Sequence, residues 1–155
     1  MPRKKMILEA MFLPLLFALI ILGAGKAAYA GLFLVDGVGL ENSLEIGMPA
    51  PPKARALHDQ PGWYGLDNLP IYFKMTADRH VAVIRCDNYC LTNRSISIGS
   101  SVEDVLRKYG KPLDEKSIEG RTFLEYRGVG FVLNAEKVAV EKIFILPKSI
   151  SENVK

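Results

Sequence analysis

The sequence predicts an α+β protein: an amino-terminal hydrophobic helix, then two tandem units, each a helix laid against an antiparallel sheet. Three observations predict it. Residues 11–25 are apolar throughout, and residues 6–25 are interrupted only by Glu9. The body of the chain matches itself when Gly47 is placed on Gly99, so that Ser43-Leu44-Glu45-Ile46-Gly47 falls on Ser95-Ile96-Ser97-Ile98-Gly99. Val102, Val105, Leu106 and Tyr109 recur at i, i+3, i+4 and i+7, one face of a helix.

The amino-terminal segment has the order of a secretory signal. Arg3-Lys4-Lys5 precedes the apolar run, and Ala28-Tyr29-Ala30 offers small residues at a cut after Ala30. The alternative is an uncleaved membrane anchor. A spanning helix needs about 20 apolar residues, a length this segment reaches only by carrying Glu9 inside, where a charge is costly. Both readings leave the basic residues in the cytoplasm and put residues 31–155 outside it, in the periplasm or tethered to the inner membrane. No cysteine stands at the cut site, as a lipoprotein signal would require.

Charge separates the leader from the body. Four of the 20 basic residues and one of the 17 acidic ones fall before position 31, which leaves 16 of each sign. The body is formally neutral and carries no run of Lys and Arg, so a nucleic-acid partner is not expected. Its length suits one modest core: an exported domain over 31–146, with units at about 43–86 and 95–146, and a tail over 147–155.

The second unit reads clearly. Ile96 and Ile98 point one way on a short strand. Ser100-Ser101-Val102-Glu103 has the order of a capping box, in which the serine hydroxyl accepts a backbone N–H and the glutamate reaches back. The helix follows, Gly110 supplies a left-handed exit, and Pro112 blocks continuation. Strands are expected over 122–126, 129–133 and 137–146, with Arg127-Gly128 as a turn. In the last of them the apolar alternation slips by one residue near Glu141, which predicts a bulge. In the first unit Pro49, Pro51 and Pro52 occupy the helix start, where proline is tolerated only in the first turn. A short helix over 53–58 is expected there, then a hairpin from 71–75 and 80–85. At the close of the two units, Phe73 matches Phe131, and Val81, Ile84 and Cys86 fall on Val140, Ile143 and Ile145 with one residue inserted.

Ile98-Gly99, Val102, Val105, Gly110-Lys111-Pro112, Phe131, Val140 and Ile143 together carry a resemblance. The second unit resembles the BamE-like (SmpA/OmlA) outer-membrane assembly lipoproteins, and it is similar to the tandem repeat of the β-lactamase inhibitor protein. The resemblance covers 95–146 well and 43–86 poorly, and the lipobox cysteine of the lipoproteins is absent. It implies a non-catalytic binding or scaffolding module of the cell envelope with a protein partner. It transfers no functional residue.

The remaining candidates come from the residues themselves. Three residues separate Cys86 from Cys90, and in an oxidising compartment such a pair is expected to close a disulfide. The other reading is a thiol redox or metal-binding pair, with His80 as the first histidine to suspect and His58 as the second. A structural zinc site needs four ligands, and the chain has 2 histidines and 2 cysteines. Gly62-Trp63-Tyr64-Gly65, with Tyr72 nearby, offers an aromatic recognition loop of the kind that anchors interfaces; otherwise Trp63 covers the edge of the core. Neither a nucleophile triad, a phosphate-cradling glycine loop nor a metalloprotease helix can be assembled. The expected function is therefore a non-enzymatic, cofactor-free envelope protein that binds another protein. The alternatives are a periplasmic inhibitor or ligand-binding protein, or a thiol or metal protein using Cys86 and Cys90.

Overall fold

The computed structural model describes residues 31–40, 43–67 and 69–148. The hydrophobic helix, signal or anchor expected over 1–30, and most of the expected tail, lie outside them.

The chain opens with β1 (Leu32–Val35), β2 (Gly39–Leu40) and β3 (Leu44–Glu45), followed by β4 (Arg55–Ala56) and β5 (Tyr64–Gly65). Then come β6 (Ile71–Met75), β7 (Val81–Cys86) and β8 (Cys90–Thr92). The helix α1 (Val102–Tyr109) precedes β9 (Asp114–Ile118), β10 (Arg121–Tyr126), β11 (Val129–Leu133) and β12 (Val140–Ile145). Eight strands form one antiparallel sheet in the order β4-β5-β6-β7-β12-β11-β10-β9. A smaller sheet, β3-β2-β1-β8, contains the parallel pair β1–β8.

The fold is thus mainly β, which corrects the α+β expectation of two helix-plus-sheet units. Among the described residues only the second segment carries a helix. In the first, Pro49, Pro51 and Pro52 remove three donors and hold their neighbours extended. The helix expected over 53–58 is absent; Ala54 N–H closes a turn onto Pro51 O at 3.0 Å, and the chain then enters β4. The strand expected around Ile96 and Ile98 is absent too. Ser95 takes φ +58°, and Thr92 accepts from Ser95 N and, through Oγ1, from Ile96 N, so the chain turns there.

The two hairpins follow the sequence closely. β6 pairs with β7 from Ile71↔Cys86 to Met75↔Val81, and β11 with β12 from Val129↔Ile145 to Leu133↔Val140. The register moves from Val132↔Lys142 to Leu133↔Val140, so the expected bulge sits at Glu141. The helix begins one residue later than the capping box implied. Ser101 Oγ accepts from Asp104 N at 3.1 Å, while Ser100 Oγ accepts from Ser97 N at 3.0 Å. Val105 is fully buried, whereas Leu106 is 43% exposed, so this short helix buries a narrower stripe than the spacing suggested.

One core joins the layers. Leu34, Leu44, Cys90, Ile96 and Val105 from the small sheet, the turns and the helix meet Ile71, Phe73, Ile84, Val129, Phe131 and Ile143 from the large sheet. Tyr109 closes it, its ring centroid 5.2 Å from Tyr126 and 5.1 Å from Phe131. Its hydroxyl donates to Asp36 Oδ1 at 3.1 Å. Burial raises the Asp36 carboxyl above its ordinary range, against the opposing pull of the Tyr109 hydrogen bond and Arg94.

Candidate functional site

Side chains alternate across a strand, so every residue that enters the core from the large sheet leaves a neighbour on the other face. On β7, Ile84 and Cys86 are buried in the core and Arg85 lies between them. On β12, Phe144 stands between Ile143 and Ile145. Tyr72 and Lys74 of β6, Phe144 and Lys142 of β12, and Phe123 and Arg121 of β10 share this outer face.

Arg85 organises one end of it. The residue is only 5% exposed although it points away from the core. Its guanidinium carbon lies 4.4 Å from the Trp63 ring centroid and 4.7 Å from that of Tyr72. One terminal nitrogen donates to Gln60 Oε1 at 2.8 Å, and Nε lies 2.9 Å from Asp87 Oδ1. A guanidinium keeps its charge, so a buried one must be matched; here a carboxylate, an amide and two aromatic faces do so. The guanidinium thus holds the Trp63 ring on this face.

From Trp63 the aromatic groups continue across the sheet. The Trp63 and Phe144 centroids are 6.1 Å apart, and those of Phe144 and Phe123 5.8 Å, both edge-to-face. Gly130 makes room for this row: a Cβ there would come within 2.3 Å of the Phe123 ring, which therefore lies directly on the glycine backbone. Trp63, Phe123 and Phe144 line a groove of about 480 Å³, whose rim carries Lys74, Arg121 and Lys142.

Tyr64 turns the other way. Its ring stacks on Phe73 at 5.9 Å and packs against the core, so the structure brings Trp63 and Tyr72 together on the outer face and places Tyr64 beneath. Arg85, Phe123, Phe144 and Gly130 belong to none of the sequence motifs above. The signal was present for two of them, because Arg85 and Phe144 each interrupt a run of core residues at an outward position.

Cys86 and Cys90 form a disulfide, with Cα atoms 6.4 Å apart. It links the end of β7 to the start of β8, and so the large sheet to the small one. Both cysteines are buried. Such a bond fits an oxidising, exported compartment. His80 lies 3.1 Å from Asp78, and His58 is exposed on the segment after β4. Among the described residues, His, Cys, Asp and Glu form no group of three or more able to hold a metal ion, and no helix is long and apolar enough to cross a membrane.

These features define a mainly β protein with an aromatic and cationic groove on the outer face of its larger sheet. No family model matches the chain, and no curated protein matches it. Among solved structures it is similar to the uncharacterized protein yfeY from Escherichia coli, with a TM-score of 0.50 and 12% identity over 73% of this chain and 98% of that one. At that identity the likeness is one of fold.

Proposed function

We propose that the protein is a non-catalytic, exported cell-envelope module that docks a protein partner on the outer face of its eight-stranded sheet. The observation that carries this reading is the row Trp63–Phe144–Phe123 on the face turned away from the main core, where Arg85 stacks on Trp63, Trp63 and Phe144 stay partly exposed, and Phe123, 8% exposed, forms the buried end of the row. Tryptophan, tyrosine and arginine dominate the energetics of protein interfaces, and rings immobilised beforehand lose little entropy on binding. A polar rim around an apolar centre matches the usual anatomy of such surfaces. The disulfide supports the exported setting, as does the resemblance of residues 95–146 to envelope assembly proteins.

The test is cross-linking in intact envelopes followed by recovery of the protein. Trp63→Ala is expected to reduce recovery of the partner at least tenfold while Tm falls only slightly, because Trp63 lies outside the core. Undiminished recovery with Trp63→Ala, or collapse of the fold, would refute the reading. The same surface would serve a scaffold or an inhibitor; a recovered assembly component indicates the first, a recovered exported enzyme the second.

A further inference from the structure

We infer that the segment docked on this groove is acidic, presenting carboxylates to Lys74 and Lys142 on either side of the aromatic row. The inference rests on the docking reading above and adds the partner's chemistry.

The charges around the groove are unequally matched. Arg85 is paired with Asp87 at 2.9 Å and Arg121 with Glu141 at 3.4 Å. On the neighbouring strands Lys116 holds Glu125 at 2.7 Å and Asp114 at 3.0 Å, two carboxylates for one ammonium. Among the described residues no carboxylate lies within ion-pair distance of Lys74 or Lys142, although both line the groove. Lys74 is instead held over Trp63, its Nζ 5.0 Å from the ring centroid. Lys142 stands two residues from Phe144 on β12, at the other end of that strand's outward face. The remaining unmatched charge in the lining is Glu119, on the tight turn between β9 and β10. The body of the chain is formally neutral, so two unmatched ammonium groups beside an apolar row are a local feature and not part of a general excess.

The size of that excess selects the class of partner. Anionic membranes and polyanionic glycans are captured by dense clusters, about four to eight Lys and Arg together. Two separated lysines, with the unmatched Glu119 in the same groove, leave too small an excess of positive charge to hold such a surface. A protein segment can place two carboxylates at the lysines and apolar side chains on Phe144 and Phe123 between them. From the Trp63 ring to that of Phe123 the row measures at most about 12 Å, which about four residues of extended chain would span.

The chain contains 1 tryptophan, so its fluorescence reports on this groove alone. The full-length chain is titrated with a synthetic peptide alternating Glu with Phe and Leu, with its Lys-for-Glu counterpart, with heparin, and with phosphatidylglycerol vesicles. The acidic peptide is expected to shift Trp63 emission. Its affinity is expected to fall roughly fivefold for each of Lys74→Glu and Lys142→Glu, and to fall with added salt. Lys74→Gln and Lys142→Gln should each give a smaller loss, with unchanged far-ultraviolet circular dichroism. Equal binding of the two peptides, no binding of the acidic one, indifference to the lysine changes, or tighter binding of heparin or vesicles would overturn the inference. The two readings fail separately. If Trp63→Ala abolishes recovery of the envelope partner while both lysine reversals leave it intact, only the charge inference is lost. If Trp63→Ala changes nothing, the docking surface itself is lost.

Discussion

Beside the hairpin β6–β7, Gly47 sits at φ +85° and donates to Val81 O at 2.8 Å, Val81 N donates back to Met48 O at 2.9 Å, and Ala50 N reaches Arg79 O at 2.8 Å. Beside the hairpin β11–β12, Gly99 sits at φ +85° and donates to Val140 O at 2.8 Å, Val140 N donates back to Ser100 O at 2.8 Å, and Val102 N reaches Val138 O at 3.0 Å. The hairpin tips agree as well. Arg79 and Lys137 take positive φ, and Thr76 and Asn134 each accept the returning backbone N–H groups through their side chains. Phe73 faces Ile84 and Phe131 faces Ile143, all four fully buried. Beyond this plan the two regions part. After Ser101 the chain turns into α1, whereas after Pro49 it makes only the single turn closed by Ala54 N and Pro51 O before β4. A backbone plan set by a left-handed glycine and a hairpin is therefore compatible with either continuation, and the prolines decide between them.

The comparison can be broken most sharply in the core. Phe73→Ala and Phe131→Ala are each expected to cost about 3–5 kcal/mol, measured by urea unfolding. A much smaller loss at Phe73 would mean that the region without a helix is not an equal part of the core. Gly47→Ala and Gly99→Ala come next. No atom lies within 4 Å of either added Cβ, so the cost is conformational, about 1–2 kcal/mol, and similar at both sites. A difference larger than that between the two would show that the shared bonds carry unequal weight.

The smallest effect concerns a tie present on the helical side only, the hydrogen bond from Tyr109 to Asp36. Burial raises the folded-state pKa of Asp36. Its contribution to stability is therefore complete below the unfolded carboxylate value and is lost as pH rises through the raised one. Asp36→Asn should raise the unfolding free energy slightly at neutral pH, by less than about 1 kcal/mol after solvent screening, and leave it unchanged in acid. A loss of stability at neutral pH would show that the carboxylate's pairing with Tyr109 and Arg94 outweighs its burial.

Much of the sheet was legible in the sequence because its hairpins are local: Val129–Leu133 and Ile71–Met75 alternate or run apolar between turn residues, and the slip at Glu141 marks the bulge. The small sheet was not, because β2 and β3 are two residues long and β1 pairs with the distant β8, a contact that periodicity does not encode. The helix over 53–58 was expected from its match to the second segment, and the prolines overrode it. Of the outer face, Trp63 and Tyr72 were visible as an aromatic cluster. Phe123 and Phe144 were not, although Phe144 stands between Ile143 and Ile145 at an outward position. Only the pairing of β12 with β7 sets Phe144 beside Arg85.

The most direct test of the docking surface compares two similarly exposed apolar positions on opposite sides of the protein. Ile118, 48% exposed, rims the groove, and Leu106, 43% exposed, lies on α1. With a photo-reactive phenylalanine analogue at one or the other, irradiation of intact envelopes should give a discrete protein adduct from position 118 and none from position 106. Adducts from position 106 alone, or equal adducts from both, would place the partner elsewhere.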